Sequence, residues 1–307
     1  MENLPVLLLW LILLLSLAGL YAGGELLVSG GVGLANRLGI RKVVIGLTVV
    51  AMGTSMPEFF VSLFGALKGS ADISVGNVIG SNLANIGLAL GISVLIRKEV
   101  GRLKEVIWDL LFLSAMTALF WAMGMDRKLS PWEGGILFAG LAVYILASSR
   151  RKRVEAEETK PLSYPLVLIA GGIGLLSLAA NYTVKSGILI SQRMGISTLA
   201  IGMTAMALGT SLPEISVSLV AAAKREGGIG VGNVVGSNIF NLLGVLGGVS
   251  MIKPLAINRN LMVIYIPASL GFTLFLLFLA LWRGKMDRRH SLLLLVAYLI
   301  LMYYLFR

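Results

Sequence analysis

Gly53-Thr54-Ser55-Met56-Pro57-Glu58 recurs 156 residues later as Gly209-Thr210-Ser211-Leu212-Pro213-Glu214. The two stretches belong to a longer repeat. At that constant offset, without a gap, residues 39–93 and 195–249 are identical at 27 of 55 positions. A second block recurs inside it, Val75-Gly76-Asn77-Val78-Ile79-Gly80-Ser81-Asn82 against Val231-Gly232-Asn233-Val234-Val235-Gly236-Ser237-Asn238. Both blocks put polar, helix-breaking residues inside apolar stretches. Shared apolar residues would record only common packing. A carboxylate, a proline and paired hydroxyls kept twice in lipid-soluble segments cost free energy and therefore mark a function.

The rest of the chain places this repeat in a membrane. Of 307 residues, 57% are hydrophobic and 13% charged, and the mean hydropathy is +0.90. No water-soluble core of this size hides so much apolar surface. A spanning helix needs ~20 apolar residues, and about ten such segments are present: 5–36, 43–67, 73–96, 106–124, 131–148, 162–192, 197–223, 229–250, 261–282 and 290–306. The first and sixth are too long for upright helices. Gly30, Gly31 and Gly33, and Gly171, Gly172 and Gly174, permit a bend or a close helix contact there. The first stretch begins with Glu2 and lacks a convincing cleavage site, so it reads as a helix and not a signal peptide.

The net charge of +11 comes from short loops, not from one basic stripe, so nucleic acid is not the expected partner. Alternate loops carry 18 Lys and Arg on one side and 7 on the other. By the positive-inside rule the richer side is cytoplasmic and both termini are extracellular, as expected for a multi-pass protein of the cell membrane. The absence of cysteine excludes disulfides and thiolate metal sites. His290 reads as an interfacial residue beside Arg288 and Arg289, and Trp108, Trp132 and Trp282 as an aromatic belt.

Five crossings separate the two Gly-Thr-Ser blocks, and an odd number inverts the second copy. The expected fold is an all-α integral membrane protein of ten transmembrane helices in two inverted five-helix repeats. The first occupies 1–148, a charged cytoplasmic linker 149–161, and the second 162–307. A pseudo-two-fold axis in the membrane plane then brings Glu58 and Glu214 together near the bilayer centre.

The motif chemistry suits a hard cation. Proline removes a backbone donor and displaces a carbonyl about four residues earlier, so free carbonyls are expected at Ala51 to Thr54 and at Ala207 to Thr210. In hydrocarbon an unpaired carbonyl is tolerated only where protein, water or a bound ion satisfies it. Thr54, Ser55, Thr210 and Ser211 add hydroxyls, and Glu58 and Glu214 add carboxylates. Asn77, Ser81 and Asn85 share one helical face, repeated by Asn233, Ser237 and Asn241, with Gly76 and Gly80 admitting a close neighbour. Two carboxylates and about six neutral oxygens suit one Ca2+ or several Na+. The pattern therefore implies ion transport.

The bland alternative, in which Pro57 and Pro213 only kink helices and the Asn and Ser faces only join them, explains neither the duplication nor the two glutamates. Glu25 and Asp109 have no acidic counterpart in the other half and are expected at the interface. Lys185 matches Ser29 in the repeat and is open to two readings, snorkelling to the interface or a part in gating. Met52, Met56, Met203 and Met206 read as compliant packing.

At these residues the chain resembles the cation/Ca2+ exchanger superfamily, specifically its prokaryotic sodium/calcium exchanger branch, over nearly its whole length. The resemblance implies Na+/Ca2+ antiport by alternating access, with no cofactor and with Ca2+ and Na+ as transported substrates. It makes Glu58 and Glu214 the main Ca2+ ligands. The carbonyls of Ala51 and Ala207, with Thr54, Ser55, Ser81, Thr210, Ser211 and Ser237, would line the ion positions, and the first and sixth helices would slide against the rest. The branch has asparagine at the position of Asn85 but aspartate at that of Asn241. If that aspartate works protonated, Asn241 is a fair mimic; if it must ionise, the coupling ion or stoichiometry differs. The Gly-Asn-Ala-Thr-Glu pattern of proton/calcium exchangers is absent, which favours Na+, while these residues leave potassium dependence open. Two further classes fit less well. A passive cation channel or membrane scaffold could use the same oxygens, but a channel would more often be a symmetric oligomer, whereas two inverted copies in one chain point to alternating access; the transporter is expected to work as a monomer in the lipid bilayer. An intramembrane enzyme using Ser55 or Ser211 would have no histidine nearby.

Overall fold

The computed structural model describes residues 1, 4–68, 71–96, 99–100, 103–149, 161–194 and 209–305. The linker from 150 to 160 and the start of the seventh segment, with Met203, Met206 and Ala207, lie outside them. Nearly everything described is helix. The helices are α1 (Val6–Leu38), α2 (Lys42–Thr54), α3 (Met56–Leu67), α4 (Ser74–Ile96), α5 (Leu103–Asp126), α6 (Pro131–Ser149), α7 (Ser163–Arg193), α8 (Leu212–Ala223), α9 (Gly227–Ile252), α10 (Leu261–Trp282) and α11 (Arg288–Leu305). Among the described residues seven helices are long and apolar enough to cross a membrane, or eight when α2 and α3 count as one bent span. Apolar side chains cover the outside, with Leu7 83% and Val167 68% exposed, as a lipid-facing surface requires. The chain is a membrane protein.

Two short antiparallel pairs tie loops together. Glu99–Val100 (β1) pairs with Met286–Asp287 (β4), and Lys128–Leu129 (β2) with Leu255–Ala256 (β3). Each joins the first half of the chain to the second.

The long helices α1 and α7 run antiparallel along each other. At about 1.5 Å per residue, the 33 residues of α1 span about 50 Å, well beyond a ~30 Å hydrocarbon layer. Their contact is backbone to backbone. A Cβ on Gly23 would stand 2.9 Å from the Leu176 nitrogen, and one on Gly172 2.7 Å from the Leu27 nitrogen. Gly30 is equally tight against Pro165 and Ile169, whereas Gly171 and Gly174 meet nothing within 4 Å among the described residues. The expected glycine contact is thus real at Gly30 and Gly172, and Gly23, which the sequence reading did not single out, joins them; small residues let helices approach without a hydrophobic driving force.

The main core packs α4, α5, α9 and α10 around Leu83, Ile86, Leu110, Leu242 and Leu276. Helix α9 is buried almost all round, and its glycines meet α2 closely: a Cβ on Gly232 would lie 2.5 Å from the Val43 oxygen. That approach carries the end of α2, with Thr54, against the polar face of α9. Gly76 and Gly80 meet nothing comparable among the described residues.

The isolated charges mostly find partners. Asp109 is fully buried within the protein and accepts a hydrogen bond from the Tyr144 hydroxyl at 2.8 Å. Glu25 pairs with Lys224 at 2.9 Å, and Lys224 also donates to Ser29. His290 pairs with Asp287 at 2.7 Å beside Phe275, and Lys185 lies exposed on α7.

Candidate functional site

The polar residues of both repeat copies meet in one buried layer. Its position follows from the broken helix: Pro57 has no N–H, so the Gly53 carbonyl loses its i+4 donor, and α2 and α3 bend by 43° at Ser55. Ser55 (φ −86°, ψ 7°) and its counterpart Ser211 (φ −82°, ψ 0°) share this conformation. Each break starts a new helix one residue before a proline and two before a glutamate. Glu58 and Glu214 therefore stand in the first turns of α3 and α8, where the helix dipole favours negative charge.

Both glutamates are completely buried. Among the described residues no lysine, arginine or histidine pairs with either. Their partners are hydroxyls: Ser55 donates to Glu214 Oε1 at 2.9 Å, and Ser81 to Glu58 Oε1 at 3.4 Å. Burying two unpaired carboxylates costs several kcal/mol per charge unless something positive stands with them.

Equivalent contacts then cross between the copies. Thr54 donates to Asn233 Oδ1 at 3.1 Å and lies 3.2 Å from Ser237 Oγ. Thr210 donates to Asn77 Oδ1 at 3.0 Å and lies 3.3 Å from Ser81 Oγ. The amide groups of Asn77 and Asn233 reach back to the main-chain oxygens of Glu58 and Glu214, at 3.4 and 3.2 Å, and to Ser62 and Ser218. Asn77 and Asn233 thus brace the glutamate-bearing turns.

Asn85 and Asn241 each open a π-helical turn, 85–90 and 241–246. Such wide turns occur mostly as single insertions, frequently at functional sites. Asn85 donates to Asn238 Oδ1 at 3.0 Å, and Asn241 to Asn82 Oδ1 at 3.2 Å. Glu58 Oε2, Glu214 Oε2, Asn85 Oδ1, Asn241 Oδ1 and Ser211 Oγ are buried with no hydrogen-bond partner among the described residues. Four of the five are acceptor-only oxygens, and such a group fits a hard cation.

The structure thus joins Glu58, Glu214, Thr54, Thr210, Ser55, Ser81 and Ser237 by hydrogen bonds that cross between the copies, and Asn85 and Asn241 by a second crossed set with Asn82 and Asn238, with Ser211 buried at the equivalent break. Ala207 lies outside the described residues. Ala51 departs from expectation, because its carbonyl is not free: it accepts from the Ser55 N–H at 3.0 Å and from Thr54 Oγ1 at 3.2 Å. The proline strips Gly53 of its donor, while Ser55 still closes the turn onto Ala51. Asn82, Asn238, Ser62 and Ser218 were not among the expected ligands, although each is identical in both copies.

A family model described as "Sodium/calcium exchanger protein" matches residues 8–150 and again 164–307. The chain belongs to the sodium/calcium exchanger family. That is a family of transporters, not of enzymes. Among relatives, the sodium/calcium exchanger MaX1 of Methanosarcina acetivorans is 29% identical, over 96% of this chain and 99% of that protein. The putative antiporter CaxA of Alkalimonas amylolytica is 32% identical, over 91% and 92%. A solved structure of the sodium-calcium exchanger NCX_Mj soaked with 10 mM Na+ and zero Ca2+ superposes with a TM-score of 0.88 at 31% identity, covering 97% of this exchanger-family chain and 99% of that one.

Proposed function

We propose that this member of the family is an antiporter exchanging Na+ for Ca2+ across the cell membrane by alternating access. The observation that carries the reading is the pair of buried carboxylates, one from each repeat copy, each keeping an unpartnered oxygen and neither paired with a protein cation among the described residues. Only a mobile cation supplies the missing charge and can also leave. Ca2+ takes 6–8 oxygen ligands at carboxylates, carbonyls and hydroxyls. Glu58 and Glu214 would neutralise it, and Thr54, Ser55, Ser81, Thr210, Ser211, Ser237, Asn85 and Asn241 would complete the shells of Ca2+ or of Na+ in its place. The names of MaX1 and NCX_Mj support both ions as substrates.

The architecture that serves this is ten membrane helices in two inverted halves, 1–148 and 162–307, joined by a linker at 149–161. The antiparallel run of α1 and α7 supports the inversion, since these helices are equivalent at the repeat offset. The glutamates then lie near the bilayer midplane, both termini are extracellular by the positive-inside rule, and one chain suffices for function. The test is uptake of radiolabelled Ca2+ into proteoliposomes loaded with Na+, against K+-loaded and pH-gradient controls with the voltage clamped by ionophore. Uptake that requires internal Na+ is expected. Uptake driven only by a pH gradient, or needing no counter-ion gradient, overturns the reading.

A further inference from the structure

An asparagine side chain has nearly the same shape with its amide turned either way, yet one end accepts and the other donates. Toward a cation only the oxygen is useful. Nothing local to Asn85 or Asn241 decides which end is free. The decision is made two steps away, by main-chain carbonyls, which can only accept.

Asn82 Nδ2 donates to the main-chain oxygen of Asn238 at 3.3 Å, and Asn238 Nδ2 donates to that of Asn82 at 3.1 Å. This reciprocal clasp leaves Oδ1 as the outward end of both residues. Against Asn238 Oδ1 only a donor fits, so Asn85 presents Nδ2 there at 3.0 Å; against Asn82 Oδ1, Asn241 presents Nδ2 at 3.2 Å. The oxygens of Asn85 and Asn241 are thereby the ends turned away from the clasp, and both are buried without a partner among the described residues. All four residues are 0–2% exposed, so bulk water does not compete for these bonds.

We propose that Asn82 and Asn238 are positioning residues, which through this clasp hold Asn241 Oδ1 and Asn85 Oδ1 in place as neutral cation ligands. The assignment deepens the cation-site reading above and rests on it. It is crossed: Asn238 of the second copy orients Asn85 of the first, and Asn82 orients Asn241. Both ligands are non-titrating, because an asparagine amide does not ionise in the physiological range.

The test is equilibrium binding of radiolabelled Ca2+ and Na+ to the purified full-length protein in detergent, which needs no transport. Asn238→Leu and Asn82→Leu are measured in the wild type and in Asn85→Ala and Asn241→Ala backgrounds. Loss of a group that orients a ligand commonly weakens metal binding about 10–100-fold, and each single variant is expected to do so. Asn238→Leu becomes silent once Asn85 is alanine but keeps its full effect once Asn241 is alanine, and Asn82→Leu shows the reverse. Additive effects in every background, or coupling of Asn238 with Asn241 on its own helix, overturn the proposal. Where a leucine variant is not monodisperse, Asn238→Ser and Asn82→Ser carry the same cycle. Failure of Na+-driven uptake in wild-type proteoliposomes would refute exchange alone. Failure of the wild type to bind either ion would overturn the clasp's role.

Discussion

The hydroxyl of Ser55 donates to Glu214 at 2.9 Å, although 159 residues separate them. The first broken helix thus supports the carboxylate carried by the second, and neither repeat copy holds a complete site. Hydrogen bonds to charged groups contribute about 1.5–3 kcal/mol. Ser55→Ala is expected to raise the KM for Ca2+ at least about tenfold while the protein still purifies as a folded monodisperse species. An unchanged KM in proteoliposome uptake would separate this hydroxyl from the site.

Glu58→Gln and Glu214→Gln each remove one of the two buried charges while keeping the side-chain size. Each is expected to abolish Ca2+ uptake, a loss of more than about 100-fold given the cost of leaving a divalent ion half-neutralised in a low-dielectric layer. Folding survives, because the substitution removes an unpaired buried charge instead of creating one. Thermal unfolding without Ca2+ checks this, and a midpoint well below the wild type would contradict it.

Asn241→Asp places a carboxyl against Asn82 Oδ1, an acceptor. A protonated carboxyl can donate to that oxygen as the amide does, and an ionised one cannot. The variant is therefore expected to resemble the wild type at low pH and to diverge as pH rises, with altered coupling more than altered Ca2+ binding. Uptake and ion stoichiometry measured across pH decide it; a profile identical to the wild type counts against the argument.

Gly172→Ala and Gly171→Ala test the α1–α7 contact side by side. A Cβ at 172 meets the α1 backbone at 2.7 Å, where nothing flexible can yield, while a Cβ at 171 meets nothing within 4 Å among the described residues. The first is expected to lose about 1–3 kcal/mol, as over-packing does. The second should be neutral, or gain about 0.5–1 kcal/mol from reduced chain entropy. Equal thermal shifts for the two variants would mean that the helices separate freely.

Much of this was legible in the sequence because it depends on local composition. Runs of apolar residues place helices within a few positions, as for segment 106–124, which forms Leu103–Asp126, and 131–148, which forms Pro131–Ser149. The position of a proline decides where a helix breaks, and repetition singles out Glu58 and Glu214 together with their hydroxyl and amide neighbours. Partnership is not local. That Ser55 serves Glu214, that Asn238 orients Asn85, that Asp109 is buried under Tyr144 and that the Ala51 carbonyl is already bonded all follow from packing or turn geometry, mostly between residues far apart in the chain. The sequence by itself determined the helices, the breaks and the set of oxygen-bearing residues, since burial preference and proline chemistry act over a few positions. Only the tertiary structure decided which oxygens are bonded and which stay free, because a hydrogen bond is directional and its partner is set by how the two halves are docked.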